Sequence, residues 1–460
     1  MASANLSQRG KGKFTSDGYI YIFDKVGADQ VTEFWRCEKR RQCKARVHVK
    51  DGEIVKFINV HSHAADAAQV VKQETITKLK SRAAETVEQT NQVINECVGN
   101  LTQACQGVLP THGALRKLVR RKRKEVRAYP ANPTNLENLV IDGDFRTYES
   151  ENFLLGDSGD ATCRIIIFGR QRNKTLLKES KKFFVDGTFK ITPPLFSQVF
   201  VILAEMHGGI HPVLYALLPN KLRSTYDKLF SMILEIQPEC HPEAIYCDFE
   251  VANFKSLQEH FPTAEIRGCF FHLTQNLHKR LTSFGLSRQY NNDADFALRA
   301  KMISALAFVP VEYMTEAIEN LADELPDELQ VLLDWFEDNY VGRRNRRGNG
   351  RRAPLFPQEM WNVYERSLND EDRTNNHAEA AHRRLQNELG MQHPTVWKFI
   401  GLKTVQRGRD LYYEQLIAGQ EPPVKLKKYR QADERIKAIV STFESRNLVE
   451  YLRGIAHNFS

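Results

Sequence analysis

Several features that define common protein classes are missing from this 460-residue chain. It has no run of about 18 apolar residues, so we expect no transmembrane helix and no membrane partner. The first residues, MASANLSQRGKGKF, lack the apolar stretch of a secretory signal. Its eight cysteines are mostly scattered, which argues against a disulfide framework and favours a reducing compartment. The length instead allows about two to four domains with a sizeable core.

Positive charge is present in moderate excess, with a net charge of +8, and it is concentrated in two runs. Residues 116–127 hold eight Lys or Arg and a single acid, and residues 343–352 hold six Arg in ten positions. Runs this dense are typical of phosphate-binding surfaces or nuclear-import signals, so we expect a nucleic acid as a partner and a nuclear location. A solvated helix face is the alternative for the first run, whereas the glycines of the second indicate a flexible basic loop. The predicted contacts are Arg120, Arg121, Lys122, Arg123, Lys124, Arg343, Arg344, Arg346 and Arg347.

Short apolar runs alternate with amphipathic segments between residues 181 and 285. Such alternation predicts buried strands and helices of an α/β sheet. Strands are predicted at 181–190, 198–206, 211–218, 244–247 and 266–271, and helices at 225–236, 251–261 and 273–281. Three consecutive strands, a helix and a strand that ends at an acid form the order expected of an RNase H-like core.

Three acids are candidates for a functional site, and each has a plainer explanation. Asp248 follows an apolar run, where strand ends carry functional groups, but an ordinary helix N-cap fits equally. Asp186 lies in the run KKFFVDGTFK, where Asp-Gly also suits a hairpin turn. Glu379 stands in the first turn of a predicted helix, where Asn376 and Glu379 have the spacing of a capping box.

The sequence around these acids resembles the Mutator-like (MULE) transposases. The resemblance rests on VDGTFK, CDFEVA, GCFFH and the segment from Trp361 to RTNNHAE, and it extends over roughly residues 150–410. It implies a DDE-type nuclease with an RNase H-like fold, in which Asp186, Asp248 and Glu379 are the catalytic carboxylates and hold Mg²⁺ or Mn²⁺. It also implies a helical insertion that separates the last core strand from the helix with Glu379.

A Cys-x-x-His pair, Cys269 and His272, follows the last predicted core strand. One interpretation is half of a zinc site, completed by His278. The resemblance instead makes the pair the family's CxxH motif beside the active site, where it would order DNA.

Three other side chains near the third acid allow two interpretations each. Trp361 could stack on a base, although packing in the core is favoured for an aromatic residue at a helix start. The two histidines on either side of Glu379 could contact DNA or face solvent. They are His377 and His382.

Near the N-terminus, residues 14–65 are rich in predicted strands and contain four potential metal ligands. Cys37, Cys43, His61 and His63 follow a Cys-x5-Cys-x17-His-x-His pattern. Two histidines at i and i+2 project from the same face of a strand, and two thiolates with two imidazoles form the usual ligand set of structural Zn²⁺. The spacing and the segment FWRC resemble the FLYWCH zinc finger, which implies DNA or protein binding. Basic residues around the cysteines favour DNA: Arg40, Arg41 and Lys44.

The rest of the chain is predicted to be mainly helical. Residues 66–130 suit either a helix-turn-helix DNA reader or a linker bundle. The nuclease core would occupy 131–290 and 356–415, the helical insertion 291–355, and a basic helical tail 416–460.

The predicted zinc finger, basic runs and nuclease core together favour a cut-and-paste DNA transposase that binds transposon ends. We expect it to act as an oligomer, because two ends must be held together. Two other classes stay open. A domesticated transposase would act as a zinc-finger transcriptional regulator without cleavage, and a simple metal-dependent nuclease would cut without strand transfer.

Overall fold

We describe the protein from a computed structural model. The structure describes residues 3–6, 12–86, 88, 90–126, 129–347 and 350–459, without the side chains of residues 3–6, 12, 124 and 404. The chain divides into two compact units, Met1–Pro130 and Ala131–Ser460.

The first unit begins with a six-stranded antiparallel sheet in which each strand pairs with the next. Its strands are β1 (Ser3–Leu6), β2 (Gly12–Ser16), β3 (Tyr19–Val26), β4 (Glu33–Cys37), β5 (Arg46–Lys50) and β6 (Glu53–Ile58). Alternate residues of these strands turn to one face and form a small core around Tyr21, Trp35 and Val47. This core is small for an independent domain, so a further crosslink is expected to stabilise it.

Helices complete the first unit: α1 (Ala67–Glu85), α2 (Thr90–Val98), α3 (Gln103–Gly107) and α4 (His112–Val126). The first, second and fourth share a core that includes Leu79, Val93 and Val119. Thr111 accepts the backbone N–H of Ala114 at 3.3 Å and caps the basic helix α4. The segment is a helical bundle, and its use as a helix-turn-helix reader stays a prediction.

The second unit is built on a seven-stranded mixed sheet in the order β15-β14-β11-β12-β13-β10-β9, preceded by a hairpin of β7 and β8. The strands are β7 (Thr147–Tyr148), β8 (Glu151–Asn152), β9 (Leu154–Asp157), β10 (Ile166–Phe168), β11 (Lys182–Thr188), β12 (Gln198–Met206), β13 (Gly209–Leu218), β14 (Ala244–Cys247) and β15 (Glu265–Gly268). The helices between them are α5 (Asn173–Glu179), α6 (Arg223–Ile236), α7 (Val251–His260) and α8 (Phe270–Ser283). The sheet is buried on both faces, in agreement with the near-continuous apolar runs of its strands.

The predicted order of strands and helices between residues 181 and 285 is the observed one, with two corrections. The strand predicted at 266–271 ends at Gly268, because Phe270 already begins α8. The hairpin-turn interpretation of Asp186 is wrong, because this residue pairs with Val201 inside the β11–β12 ladder.

A group of helices follows the sheet and contains the region predicted as an insertion. These helices are α9 (Ser287–Asn292), α10 (Ala294–Ala305), α11 (Met314–Glu324), α12 (Asp327–Phe336), α13 (Gln358–Trp361) and α14 (Tyr364–Leu368). Trp361 is fully buried, and its indole N–H donates to the carbonyl of Tyr340 at 2.9 Å. The packing interpretation of this tryptophan is therefore confirmed.

The remaining helices are α15 (Asn376–Leu389), α16 (Val396–Ile400), α17 (Lys403–Ile417), α18 (Lys427–Val440) and α19 (Leu448–Ala456). The last two lie in the segment predicted as a basic tail, yet Val440, Leu452 and Ile455 are fully buried in the core beside the α10–α12 helices. The hydroxyl of Tyr451 donates to the carbonyl of Phe308. Among the described helices, none is both long and apolar enough for a membrane span.

Because α19 contributes fully buried side chains, it should be required for the stability of the second unit. We expect Ile455→Ala to lower the free energy of unfolding by about 2–5 kcal/mol, whereas Glu450→Ala on the exposed face should change it by less than about 0.5 kcal/mol. Urea unfolding followed by tryptophan fluorescence measures both variants. Equal stability of the two would contradict the placement of α19 in the core.

Candidate functional site

The first site is a Cys/His cluster at one end of the N-terminal sheet. The ligand atoms of Cys37, Cys43, His61 and His63 all lie within 4.8 Å of one another. The sulfur of Cys37 is 3.2 Å from Nε2 of His63, and the sulfur of Cys43 is 3.3 Å from Nδ1 of His61. Two buried thiol groups and two imidazoles at these distances match the donor set of a structural zinc ion.

The two histidines reach this cluster in a way that the sequence did not predict. They do not project from a strand, because β6 ends at Ile58 and both belong to the loop after it. Aromatic residues of β3 orient the loop instead: Tyr19 stacks on the ring of His61 with centroids 3.6 Å apart, and the hydroxyl of Tyr21 lies 2.9 Å from its Nε2. The i, i+2 argument from strand geometry is therefore wrong, although the four residues do converge.

A second cluster lies at the carboxyl ends of the central strands of the large sheet. Asp186 is in β11, Asp248 directly follows β14, and Glu379 is in the first turn of α15. Strands β11 and β14 are parallel neighbours, so their carboxyl ends meet at one edge. Asp186 is 8% exposed, and its burial and the charges of Asp248 and Glu379 raise the pKa of this carboxyl to about 8.

The plainer explanations of the other two acids are also corrected. The N-cap of α7 is Glu250, and Asp248 only accepts its backbone N–H at 3.3 Å. The N-cap of α15 is Asn375 with no side-chain cap bond, so a capping box between Asn376 and Glu379 does not form. Neither acid is therefore needed to cap its helix.

Asn375 joins the elements that hold the three acids. Its side-chain amide donates to the carbonyl of Val185 in β11 at 3.0 Å, next to Asp186. Its backbone N–H donates to the sulfur of Cys269 at 3.0 Å, and it directly precedes α15. This residue, which is 1% exposed, therefore ties the start of the helix with Glu379 to the sheet.

Cys269 has a structural partner and is not part of a described metal cluster. Among the described residues, only the N-terminal Cys/His set brings its ligand atoms together within 4.8 Å. Burial raises the pKa of Cys269 to about 11, so it stays a thiol at neutral pH. His278 packs edge-on against Tyr290 instead. The zinc half-site interpretation is therefore wrong for the described residues.

Two imidazoles adjoin the carboxylates. Nδ1 of His382 lies 3.5 Å from Oδ2 of Asp186, and its side chain is only 13% exposed. Burial and the neighbouring His272 lower the pKa of His382 to about 4. Burial also lowers the pKa of His272, against the opposing charges of Asp248 and Glu379.

Sequence reasoning left His382 open between DNA contact and solvent, and it did not single out Asn375. The sequence did contain a signal that His382 lies near the acids. Residues three apart on a helix share a face, and Glu379-x-x-His382 has that spacing. The half-exposed His377 lies 3.7 Å from Asp372 and packs edge-on against Phe184. No pattern in one sequence distinguishes Asn375 from its neighbour Asn376.

The predicted DNA-contacting residues fall into three groups. Arg40, Arg41 and Lys44 are exposed beside the Cys/His cluster. In α4, Arg120 is exposed and Arg121 pairs with Glu125 at 3.4 Å.

The other predicted DNA-contacting residues of α4 are engaged in contacts within the protein or lie outside the described side chains. Lys122 also approaches Glu125, at 3.5 Å. The guanidinium of Arg123 donates to the carbonyls of Ala83 and Glu88, so it connects helices of the bundle. The side chain of Lys124 lies outside the described residues.

The predicted loop at 343–352, of which residues 343–347 and 350–352 are described, has ends that pair with each other. Arg344 and Arg351 form an antiparallel bridge, and the backbone N–H of Arg352 donates to the carbonyl of Arg343 at 2.9 Å. Three of its arginines pair with acids: Arg343 with Asp338, Arg344 with Glu319 and Arg351 with Glu337. At its tip, Arg346 and Arg347 are exposed.

The geometry of the Cys/His cluster predicts about one tightly bound zinc ion per chain. Cys43→Ser should lose this zinc, while Cys105→Ser, outside the cluster, should keep it. Elemental analysis of the purified full chain measures the metal content. Full zinc occupancy in Cys43→Ser would refute the assignment.

Comparison with known protein families supports the assignment of both sites to domains. The family model for the FLYWCH zinc finger domain matches residues 5–63, which include all four Cys/His ligands. The model for the MULE transposase domain matches residues 183–276, which include Asp186, Asp248, Cys269 and His272 but not Glu379.

Curated relatives match the N-terminal part. FLYWCH transcription factor 2 of Caenorhabditis elegans is 43% identical over 53 residues, which are 11% of this chain and 11% of that protein. FLYWCH transcription factor 1 of the same organism is 34% identical over 70 residues, which are 15% of this chain and 14% of that protein. The chain thus matches only a small part of the length of these relatives. Taken with the geometry of the two sites, the matches identify this chain as one that carries a FLYWCH zinc finger domain followed by a MULE transposase domain.

Proposed function

We propose that the chain is a cut-and-paste DNA transposase whose active site consists of Asp186, Asp248 and Glu379. The observation that carries this proposal is the convergence of the three acids on one sheet edge, where burial and the charges of Asp248 and Glu379 raise the pKa of Asp186. Structural acids usually pair with cations or cap helices, whereas these three are neither caps nor strongly paired. Groups with strongly shifted pKa values at a strand end are typical of functional sites.

The topology supports an RNase H-like nuclease core. Strands β11, β12 and β13 form an antiparallel meander, and β14 and β15 add parallel to the first of them. The acids of β11 and β14 then occupy adjacent positions, and the third acid arrives from a helix later in the chain. This is the order on which the DDE assignment depends.

The acids have the chemistry to hold divalent metal ions. Mg²⁺ and Mn²⁺ prefer carboxylate oxygens. Burial and two neighbouring acids disfavour the ionised form of Asp186, and a bound cation would stabilise that form. We assign Asp186, Asp248 and Glu379 as the ligands. When bound, two such ions would activate a water molecule or a 3′-hydroxyl and neutralise the leaving oxygen. If two ions shared the three acids, the carboxylates would not all need to approach one point.

Double-stranded DNA is the substrate we propose, with transposon ends recognised by the N-terminal unit. The exposed Arg40, Arg41 and Lys44 beside the zinc cluster, and Arg120 of α4, offer cations for the phosphate backbone. Arg346 and Arg347 extend this function to the second unit. We further propose a nuclear location and an assembly of at least two copies, because two ends are joined in one event.

A second candidate is a zinc-finger transcriptional regulator that binds DNA without cutting it. It is favoured by the names of the relatives that share the finger, which are transcription factors. Regulation needs the finger alone and gives no role to the three converging acids. A nuclease that cuts without strand transfer would share the acids but needs no end recognition.

Cleavage of a labelled duplex that carries the element's terminal sequences tests the proposal. With Mg²⁺, the full chain should nick at the element boundary, and Asp248→Asn should reduce the rate at least about 100-fold, because even second-shell metal partners cost 10–100-fold. The exposed Asp142→Asn serves as the matched control and should keep the activity. Zinc-dependent DNA binding without cleavage by any of these proteins would instead favour the regulator.

The raised pKa of Asp186 gives a pH dependence of stability without added Mg²⁺. Between about pH 4 and pH 8 the folded protein keeps a proton on this carboxyl that the unfolded chain loses, so its contribution to the free energy of unfolding falls as pH rises. Asp186→Asn should remove this fall in the free energy of unfolding, because an amide does not ionise. The variant should therefore melt at a higher temperature than the wild type at pH 8 but not at pH 4. Thermal melts at both pH values, with Asp142→Asn as a control, measure this. A wild type that melts higher than Asp186→Asn at pH 8 would contradict the burial of a like-charged cluster.

A further inference from the structure

We propose that His382 is a ligand of the metal ion held by Asp186, so that the site binds its cation through an imidazole as well as carboxylates. This inference rests on the proposed function, since it adds a residue to the metal site proposed above. The three acids were the expected ligands, and His382 was not among them.

The distance between the two side chains favours joint ligation over a hydrogen bond. Nδ1 of His382 and Oδ2 of Asp186 are 3.5 Å apart. This exceeds the range of about 2.7–3.2 Å for a good N–H···O hydrogen bond. Two ligands at about 2.1 Å from one octahedral ion lie about 3 Å apart, so a small shift brings both atoms into one coordination shell.

The imidazole also lacks the partners that a purely structural histidine would have. Nε2 of His382 is buried and has no hydrogen-bond partner among the described residues. Nδ1 has Asp186 as its neighbour at ion-pair distance. A buried ring without good hydrogen bonds costs free energy, and a metal bond to Nδ1 would offset the share of that cost that belongs to Nδ1.

The helix places His382 where a ligand is needed. It follows Glu379 by three residues in α15, so both side chains project from the same face. Glu-x-x-His pairs on helices that face a bundle interior are used in this way to hold metal ions. The α15 helix is itself attached to β11 through Asn375, which limits its movement relative to Asp186.

A nitrogen ligand would change which cations the site prefers. Carboxylates alone suit Mg²⁺, whereas imidazole favours transition metals. With His382 in the coordination shell, Mn²⁺ should bind more tightly than Mg²⁺. His382→Gln should lower the affinity for Mn²⁺ about 10-fold or more and the affinity for Mg²⁺ by less. The preference for Mn²⁺ over Mg²⁺ should therefore become smaller.

The test uses the zinc-loaded full chain with Mn²⁺ as the probe. Pulsed electron paramagnetic resonance detects a nitrogen nucleus bound directly to Mn²⁺, and labelling histidine with ¹⁵N identifies a histidine source in the wild type without any substitution. We expect the coupling in the wild type, in His377→Gln and in His272→Gln, and its loss in His382→Gln. His377 is the matched control because it lies in the same helix, close to Glu379, and faces Asp372 instead.

The outcomes separate this inference from the proposed function. Mn²⁺ binding without histidine coupling in the wild type would overturn the role of His382 and leave the carboxylate site intact. Coupling that survives in His382→Gln but disappears in His272→Gln would also overturn it. No Mn²⁺ binding beyond that of Asp248→Asn would overturn both proposals.

Discussion

The parallel pairing of β11 with β14 is the constraint on which the candidate active site depends. It brings Asp186, near the end of β11, close to Asp248, which directly follows β14, although a hairpin, a helix and a loop separate them in sequence. The third acid is brought to the same edge by Asn375, which bonds to the carbonyl of Val185 in β11 and to the sulfur of Cys269. Three distant segments thus meet because β14 and the residue before α15 are both hydrogen-bonded to β11.

This arrangement is unfavourable until a cation is present. Asp186 is almost completely buried, and both nearby acids oppose its ionisation. A protein retains such a cluster at a cost in stability, which is reasonable where a metal ion replaces the proton during function. The packing around the sheet helps to keep the acids in place. The core on one face extends to the α10–α12 helices and to α18 and α19, and the core on the other face includes α15 and α16.

The N-terminal unit would need a metal ion for stability rather than for a reaction. Its sheet has a small core around Trp35, and the Cys/His cluster at its end supplies a crosslink that a short domain needs. Tyr19 and Tyr21 hold His61 in position, so aromatic residues that belong to the strand pattern also orient a metal ligand. One ion is thus structural and held by sulfur and nitrogen, whereas the other would be reactive and held mainly by oxygen.

The sequence alone was enough to predict the strands and helices between residues 181 and 285, the four zinc ligands and the three acids. The strands, the helices and the zinc ligands follow from local periodicity, spacing and residue chemistry. The roles of the three acids come from the resemblance of the surrounding motifs to a family, and they stay a prediction. Only the tertiary structure decided that His61 and His63 act from a loop, that Arg123 connects helices, that α19 is core and that His382 lies beside Asp186. Each of these depends on contacts between residues far apart in the chain, and a single sequence contains no record of which distant segments meet.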